Sequence, residues 1–370
     1  MSRERSALTV GPHGGENLGD ELILSTVLEV LSDAGWSPSA MSSHPSLTAE
    51  VHGVRAVEQI NVKHRRFSAL RRLDRFDLLV LAGGEQLAEG RFHNPLWGHL
   101  ANAWLTMRHA RKNGIDYCIY SVGAEEIKST VGRRMLRSLL NGARFVAIRD
   151  PRSYEYLRKL APDAPLFLTA DPVYDLERVS HLEARAALLK RENLPDGPLL
   201  LFAPADDHRV STDYVDTIAA ALIGVAERIG GTLLVQAMEH QESYDPRLLQ
   251  KAVFHHGRVH VMPLRQFDKR ELIETFAGVD HVTSARMHPL ILAATQGTPW
   301  LCLNRNRKLE TFSAELGRPG LPLDVSADRV QKRVAQSIRQ GRAEWQDAND
   351  NALAPLVERA RYARALLNAI

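Results

Sequence analysis

Short apolar runs rich in Val, Ile and Leu alternate with longer segments of helical pattern along almost the whole chain. Such alternation predicts an α/β protein with mostly parallel sheets. In the first half the predicted strands are ALTVG (7–11), DLLVLA (77–82), DYCIYSV (116–122), RFVAI (144–148) and PLFLTA (165–170). In the second half they are PLLLFA (198–203), GTLLVQA (231–237), GRVHVM (257–262), DHVTS (280–284) and PWLCLN (299–304).

Between the two sets runs DPVYDLERVSHLEARAALLKRENLPDGP, polar, helical in pattern and closed by turn residues. The boundary is expected there, near 180–196. The chain then reads as an N-terminal Rossmann-like domain, 1–185, and a C-terminal Rossmann-like domain, 196–342. The tail 343–370 reads as a helix interrupted near Pro355 that can pack back on the N-terminal domain. At 370 residues two domains are the natural expectation. Two successive open parallel sheets imply a cleft between them.

The residues that follow each strand carry the chemistry: GPHGGEN, GGEQ, GAEE, RD, DP, PADDH, EH, ARMH and RNRK. Small and ionisable residues gather at the carboxyl ends of strands, where open α/β sheets bind ligands.

In SARMHPLILAATQG, Pro289 suits a first helical turn and Gly297 a helix end, which predicts His288 at the cap. PLILAATQ has no polar face, so the helix is expected to be buried with its N-terminus toward a ligand. Arg286 offers a planar fork for carboxylate or phosphate, and His288 a proton donor or acceptor near neutral pH. The structural alternative is an Arg286 paired with a nearby acid and a His288 that only caps.

GPHGGENLGDELIL gives way from strand to Gly11, Gly14 and Gly15, then Asn17, Gly19 and Asp20, then an amphipathic helix. The glycines permit close backbone approach to a ligand, although Asn17 or Asp20 as a plain helix cap is equally consistent. The spacing fits neither a dinucleotide fingerprint nor a Walker loop. In VLAGGEQL, Gly83 and Gly84 again permit close approach, while a carboxylate at Glu85 would repel an anionic ligand. Arg149–Asp150 reads as a pair bracing a strand end, and Asp171 as its counterpart in TADPV.

Charge and composition narrow the class. Hydrophobic residues make up 44% and charged residues 25% of the chain, as in ordinary globular proteins. A net charge of +3 gives no global case for nucleic acid. The run KHRRFSALRRLDRF (63–76) places Phe67, Leu70 and Leu73 at roughly helical spacing among basic residues. It reads as a solvated helix face or as a peripheral contact with an anionic membrane or lipid-linked acceptor. Cys118 and Cys302 lie in apolar runs and read as buried hydrophobes, and HHGRVH lacks metal spacing, so no metal is expected. The N-terminal sequence has no apolar run of signal-peptide length, and the expected location is the cytoplasm.

Taken together, GGENLGDELIL, LVLAGGEQL, VAIRDPRSYEYL, TADPV and SARMHPLILAATQGTPWLCLNRNRKLETFSAELG resemble the polysaccharide pyruvyl transferase family, in order over about 12–317. The resemblance implies a two-domain fold similar to the GT-B glycosyltransferases. It also implies transfer of the carboxyvinyl unit of phosphoenolpyruvate to a saccharide or related hydroxyl, with no separate cofactor. By motif position Arg286 and His288 match the family's donor-site Arg and catalytic His, with Ser284, Asn304 and Lys308 beside the donor. Asn17, Gly19, Asp20, Gly83, Gly84 and Glu85 fall in its acceptor-side loops. Arg149, Asp150 and Asp171 are structural or line the cleft. The expected partners are an anionic donor and a saccharide or lipid-linked acceptor.

Two departures stand out. Glu85 replaces a residue that is often glycine or small, and SVGAEEI brings Glu125 and Glu126 where the family is glycine- and proline-rich. A GT-B glycosyltransferase using a nucleotide sugar and a non-catalytic anion-binding protein are the alternatives.

Overall fold

The computed structural model describes residues 5–15, 17–90, 93–206, 211–239 and 245–370, without the side chains of 245 and 246. Glu16, the last two residues of PADDH and His240 therefore lie outside the described residues.

The chain divides into two compact units. The first holds Met1–Gly15, Asp20–Asp175 and Leu356–Ile370; the second holds Glu16–Gly19 and Leu176–Pro355.

The first unit is built on seven strands: β1 (Ser6–Val10), β2 (Ser37–Ser42), β3 (Arg55–Glu58), β4 (Leu78–Ala82), β5 (Asp116–Val122), β6 (Val146–Ile148) and β7 (Leu166–Leu168). They lie in the order β3-β2-β1-β4-β5-β6-β7, every pairing parallel. Leu78 to Ala82 are all buried, as expected of a central parallel strand covered on both faces. One face carries the main apolar cluster, in which the helices His99–Lys112 and Thr130–Asn141 place Leu100, Met107, Leu136 and Leu140 against Leu79 and Ile119.

The second unit has six: β8 (Leu199–Ala203), β9 (Thr232–Val235), β10 (Val259–Val261), β11 (His281–Ser284), β12 (Trp300–Asn304) and β13 (Leu321–Pro322). Their order is β10-β9-β8-β11-β12-β13, again all parallel. Both domains are thus parallel-sheet α/β structures. In each, the strand order reverses once, between β1 and β4 and between β8 and β11.

Five local features differ from the sequence expectation. Strands β2, β3 and β13 were not anticipated. SPSAMS has no β-branched residue, and its strand exists because β1 and β3 pair on either side. β13 is two residues at a sheet edge, where Pro322 is tolerated. Within 63–76 the regular part is a 3₁₀ turn, Ser68–Arg75, whose Ala69 and Leu73 are buried in the first unit's own core. Finally, the closing helix Arg342–Asn368 runs through Pro355 without interruption. Buried side chains flank the missing N–H on both sides: Trp345 and Leu353 before the proline, Leu356, Ala360, Ala363 and Leu367 after it. The last segment is further tied by Arg364 and Arg361 to Asp175, at 2.9 and 3.1 Å.

Candidate active site

In the second unit the reversal lies between β8 and β11, so the carboxyl end of β11 is where a ligand crevice forms in such sheets. Ser284 ends that strand. Its hydroxyl donates to the Ala203 carbonyl (2.9 Å) and accepts the Arg286 N–H (2.9 Å). This tight turn starts the next helix two residues earlier than expected. Arg286, with φ −119° and ψ 149°, is the N-cap of Met287–Thr295, so His288 is not the cap but the second helical residue. Pro289 follows in the first turn, and Gly297 at φ 68° closes the element. Every residue from Pro289 to Thr295 is buried.

Arg286 is engaged. Its Nη1 donates to Oε1 of Glu239 at 2.9 Å, with both side chains mostly buried. The same oxygen accepts from Nδ2 of Asn17 at 2.9 Å. Asn17 in turn caps the helix Leu18–Asp33 by accepting the Gly19 N–H (3.0 Å), and the Leu18 N–H bonds the Met238 carbonyl (2.9 Å). Gly19 then lies directly on His288: a Cβ built there would stand 1.9 Å from Nδ1 of the imidazole. Asn17, Gly19, Glu239, Arg286 and His288 form one constellation. Glu239 was visible in the sequence only as an acid following β9, and its pairing spans 222 residues to Asn17.

The remaining donor-side candidates divide. Lys308 is the second residue of the helix Arg307–Glu315, at the carboxyl end of β12 beside β11, and is half-buried. Asn304 turns into the protein: its amide oxygen meets Cys302 Sγ (3.4 Å) and Ser313 Oγ (3.5 Å) and packs where a side chain on Gly320 would collide. Ser284 shapes the turn rather than presenting its hydroxyl.

In the first unit the reversal lies between β1 and β4. The loop after β1 passes so near β4 that a Cβ on Gly11 would stand 2.2 Å from the Ala82 carbonyl oxygen. Gly83 and Gly84 both have positive φ (85° and 58°), which a side chain would strain. Glu85 does not stand alone. It lies beside the buried Arg149, which pairs with Asp171 at 2.9 Å. Burial disfavours the Arg149 charge most strongly, yet Asp171, Glu85, Asp150 and Asp20 together outweigh it and raise its pKa. The expected Arg149–Asp150 pair is replaced by Arg149–Asp171, because Asp150 caps the helix Pro151–Leu160, accepting from the N–H (2.8 Å) and hydroxyl (2.6 Å) of Ser153. Glu125 and Glu126 are exposed, and Glu126 pairs with Lys128 at 2.8 Å.

His13 was not singled out from the sequence. It is fully buried, and neither ring nitrogen has a hydrogen-bond partner among the described residues. Burial lowers its pKa to about 4, with Glu21 opposing and His52 reinforcing the shift. The loop around it is pinned: the Ser43 N–H bonds the His13 carbonyl (3.0 Å), the Gly14 N–H bonds Glu21 (2.8 Å), and His44 Nδ1 meets the Gly14 carbonyl (2.6 Å).

Solved structures share this fold at low identity. A glycosyltransferase from Rickettsia africae superposes with a TM-score of 0.64 at 10% identity, covering 99% of this chain and 98% of its own. The UDP-GlcNAc 2-epimerase of Neisseria meningitidis, solved with UDP-GlcNAc, gives 0.62 at 11% over 98% and 99%. The wall teichoic acid polymerase TagF gives 0.60 at 11% over 99% and 88%. These likenesses place the fold among GT-B glycosyltransferases and epimerases. No curated protein matches the sequence. The family model described as polysaccharide pyruvyl transferase matches residues 17–307, a span that takes in Asn17, Glu239, Arg286 and His288. The chain belongs to the polysaccharide pyruvyl transferase family.

Proposed function

We propose that the protein transfers the carboxyvinyl unit of phosphoenolpyruvate to a hydroxyl-bearing acceptor, closes a pyruvate ketal and releases phosphate. The observation that supports this reading best is the joining of Arg286 and His288 at the start of a buried apolar helix, at the strand-order reversal of the second sheet. Phosphoenolpyruvate carries two anionic groups around a weakly electrophilic C2, so catalysis needs fixed positive charge and a proton for the methylene carbon.

In this scheme Arg286 and the N–H groups of the helix start hold the donor carboxylate, and Lys308 the phosphate. His288 delivers a proton to C3, which becomes the methyl group, while an acceptor hydroxyl bonds to C2 and releases its proton to solvent. The C2–O bond to phosphate breaks, inorganic phosphate leaves, and a second acceptor hydroxyl adds to C2 as it loses its proton. Glu239 already offers an anionic oxygen to Arg286, so the donor carboxylate competes with it for the guanidinium. No step calls for a metal or cofactor.

The nucleotide-sugar reading rests on the fold shared with UDP-GlcNAc epimerases and glycosyltransferases, and the fold alone does not distinguish donors. Phosphate release from phosphoenolpyruvate across a panel of acceptors, followed by mass spectrometry of the products, separates them. Acceptor-dependent phosphate and an added pyruvate ketal support the proposal. Uridine diphosphate binding with no response to phosphoenolpyruvate favours the alternative.

A further inference from the structure

The first unit carries a charge asymmetry that the catalytic reading does not use. Three segments lie on one face of its sheet: 63–75, which includes the turn Ser68–Arg75, the helix His99–Lys112, and 128–144, which includes the helix Thr130–Asn141. Together they hold fourteen Lys and Arg and a single carboxylate, Asp74. The rest of the chain holds 33 Lys and Arg against 43 Asp and Glu, so its net charge is negative. The near-neutral total hides one strongly basic face. All fourteen side chains are exposed. At the border Arg144 pairs with Asp116 and Lys128 with Glu126.

Helix stability does not account for this distribution. Cations at the end of His99–Lys112 suit its carbonyl terminus, but Arg133 and Arg134 stand near the start of Thr130–Asn141, where the helix dipole offers positive charge no benefit. Arg108/Lys112 and Arg133/Arg137 are like-charged helical pairs four residues apart, which oppose one another.

Two further features mark the face. Between its two helices opens a cavity of about 270 Å³ lined by Trp104, Arg108, Arg111, Lys112, Tyr117, Ser138 and Leu139, with no carboxylate among them. The Arg108 guanidinium lies 5.2 Å from the Trp104 ring. Seven large apolar side chains are exposed among the described residues, and four of them stand where these segments begin: Phe67, Leu96, Trp97 and Val131. The segments connect parallel strands, so these starts share the rim at the carboxyl end of the sheet.

We propose that this face docks the protein on an anionic lipid bilayer, with the basic side chains against the headgroups, the cavity taking a lipid phosphate and the four apolar side chains entering the interface. Basic side chains near an anionic leaflet and apolar groups at its boundary are the physical requirements for peripheral attachment. No helix among the described residues is long and apolar enough to cross a membrane. The inference is independent of which donor the enzyme uses.

The test is co-sedimentation of the full chain with vesicles of phosphatidylcholine alone and with vesicles about one-third phosphatidylglycerol, at low and high salt. Binding is expected only to the anionic vesicles and is lost at high salt. The triple variant Arg72→Gln/Arg111→Gln/Arg134→Gln removes one charge from each segment and should weaken binding on the order of a hundredfold, about fivefold per charge. The control Arg228→Gln/Arg329→Gln/Lys332→Gln removes the same net charge from the second unit and should bind as the unaltered protein does. Circular dichroism verifies that both variants fold. Equal binding to neutral vesicles, equal weakening by the control, or no effect of the first triple variant would overturn the proposal. So would duplex DNA or heparin binding that is tighter than vesicle binding and abolished by the same variant, since the partner would then be a soluble polyanion.

Discussion

Gly19 is held by a neighbour rather than by its own backbone. Alanine ordinarily stabilises a helix by about 1 kcal/mol relative to glycine. Here the added methyl would stand 1.9 Å from the His288 ring. Gly19→Ala is therefore expected to destabilise by about 1–3 kcal/mol in thermal melts, by overpacking, and to displace the imidazole. A gain in stability would show that the contact relaxes freely. Glu239 makes an opposite prediction for binding. Glu239→Gln keeps a hydrogen-bonding oxygen for Arg286 and Asn17 but removes the competing charge, so the KM for an anionic donor should fall severalfold. A rise would mean that the carboxylate serves the substrate directly.

His13 adds a pH dependence. Its folded pKa, about 4, lies below the ordinary 6.5, so the unfolded chain binds the extra proton. The contribution of neutral His13 is intact above pH 6.5 and declines as pH falls toward 4, with no further change below that. Over this window the cost reaches ~3 kcal/mol at about 1.4 kcal/mol per pKa unit. Stability of the unaltered chain and of His13→Leu, measured by urea unfolding from pH 7 to 4, should converge by roughly that amount as the pH is lowered. Parallel curves would contradict the burial of a neutral imidazole.

At the scale of elements, the Arg149–Asp171 bridge ties the end of β6 to the segment after β7. Removing one buried partner leaves the other uncompensated, at a cost of about 3–5 kcal/mol. Arg149→Met should approach that figure, because Asp171, Asp20 and Glu85 all face the lost charge. The double variant Arg149→Met/Asp171→Leu should recover part of it, and strict additivity would show that the bridge is not the unit of stability.

The same elements show what the sequence made legible. Central strands such as DLLVLA and PLLLFA announced themselves, because a strand covered on both faces must be apolar throughout. SPSAMS did not, since its strand character comes from its neighbours. The helix start at Met287 rather than Pro289, with Arg286 and not His288 as the cap, depended on the Ser284 hydroxyl, a single hydrogen bond that residue pattern does not encode. Apolar spacing in 63–76 was visible, but not that Leu73 faces the protein's own core.

For the whole molecule, two parallel-sheet domains and membership of the pyruvyl transferase family were readable from ordered motifs spread over most of the chain. Pairings between distant segments were not. Glu239 meets Asn17 and Arg286, and Glu85 meets Arg149, only once the strands assemble, so Glu85, which looked unfavourable near an anionic ligand, is already compensated in the fold. The basic face was likewise concealed, because a net charge of +3 averages a strongly positive layer with an acidic remainder.

The central claim is that His288, held against Gly19 beside Arg286, supplies the proton that makes phosphoenolpyruvate electrophilic. Its most direct test is phosphate release from phosphoenolpyruvate by the unaltered enzyme and by His288→Ala, with an acceptor that supports turnover. The account predicts a fall in kcat of about 10²–10⁴-fold with an unchanged circular dichroism spectrum. Near-normal turnover in the alanine variant would contradict it.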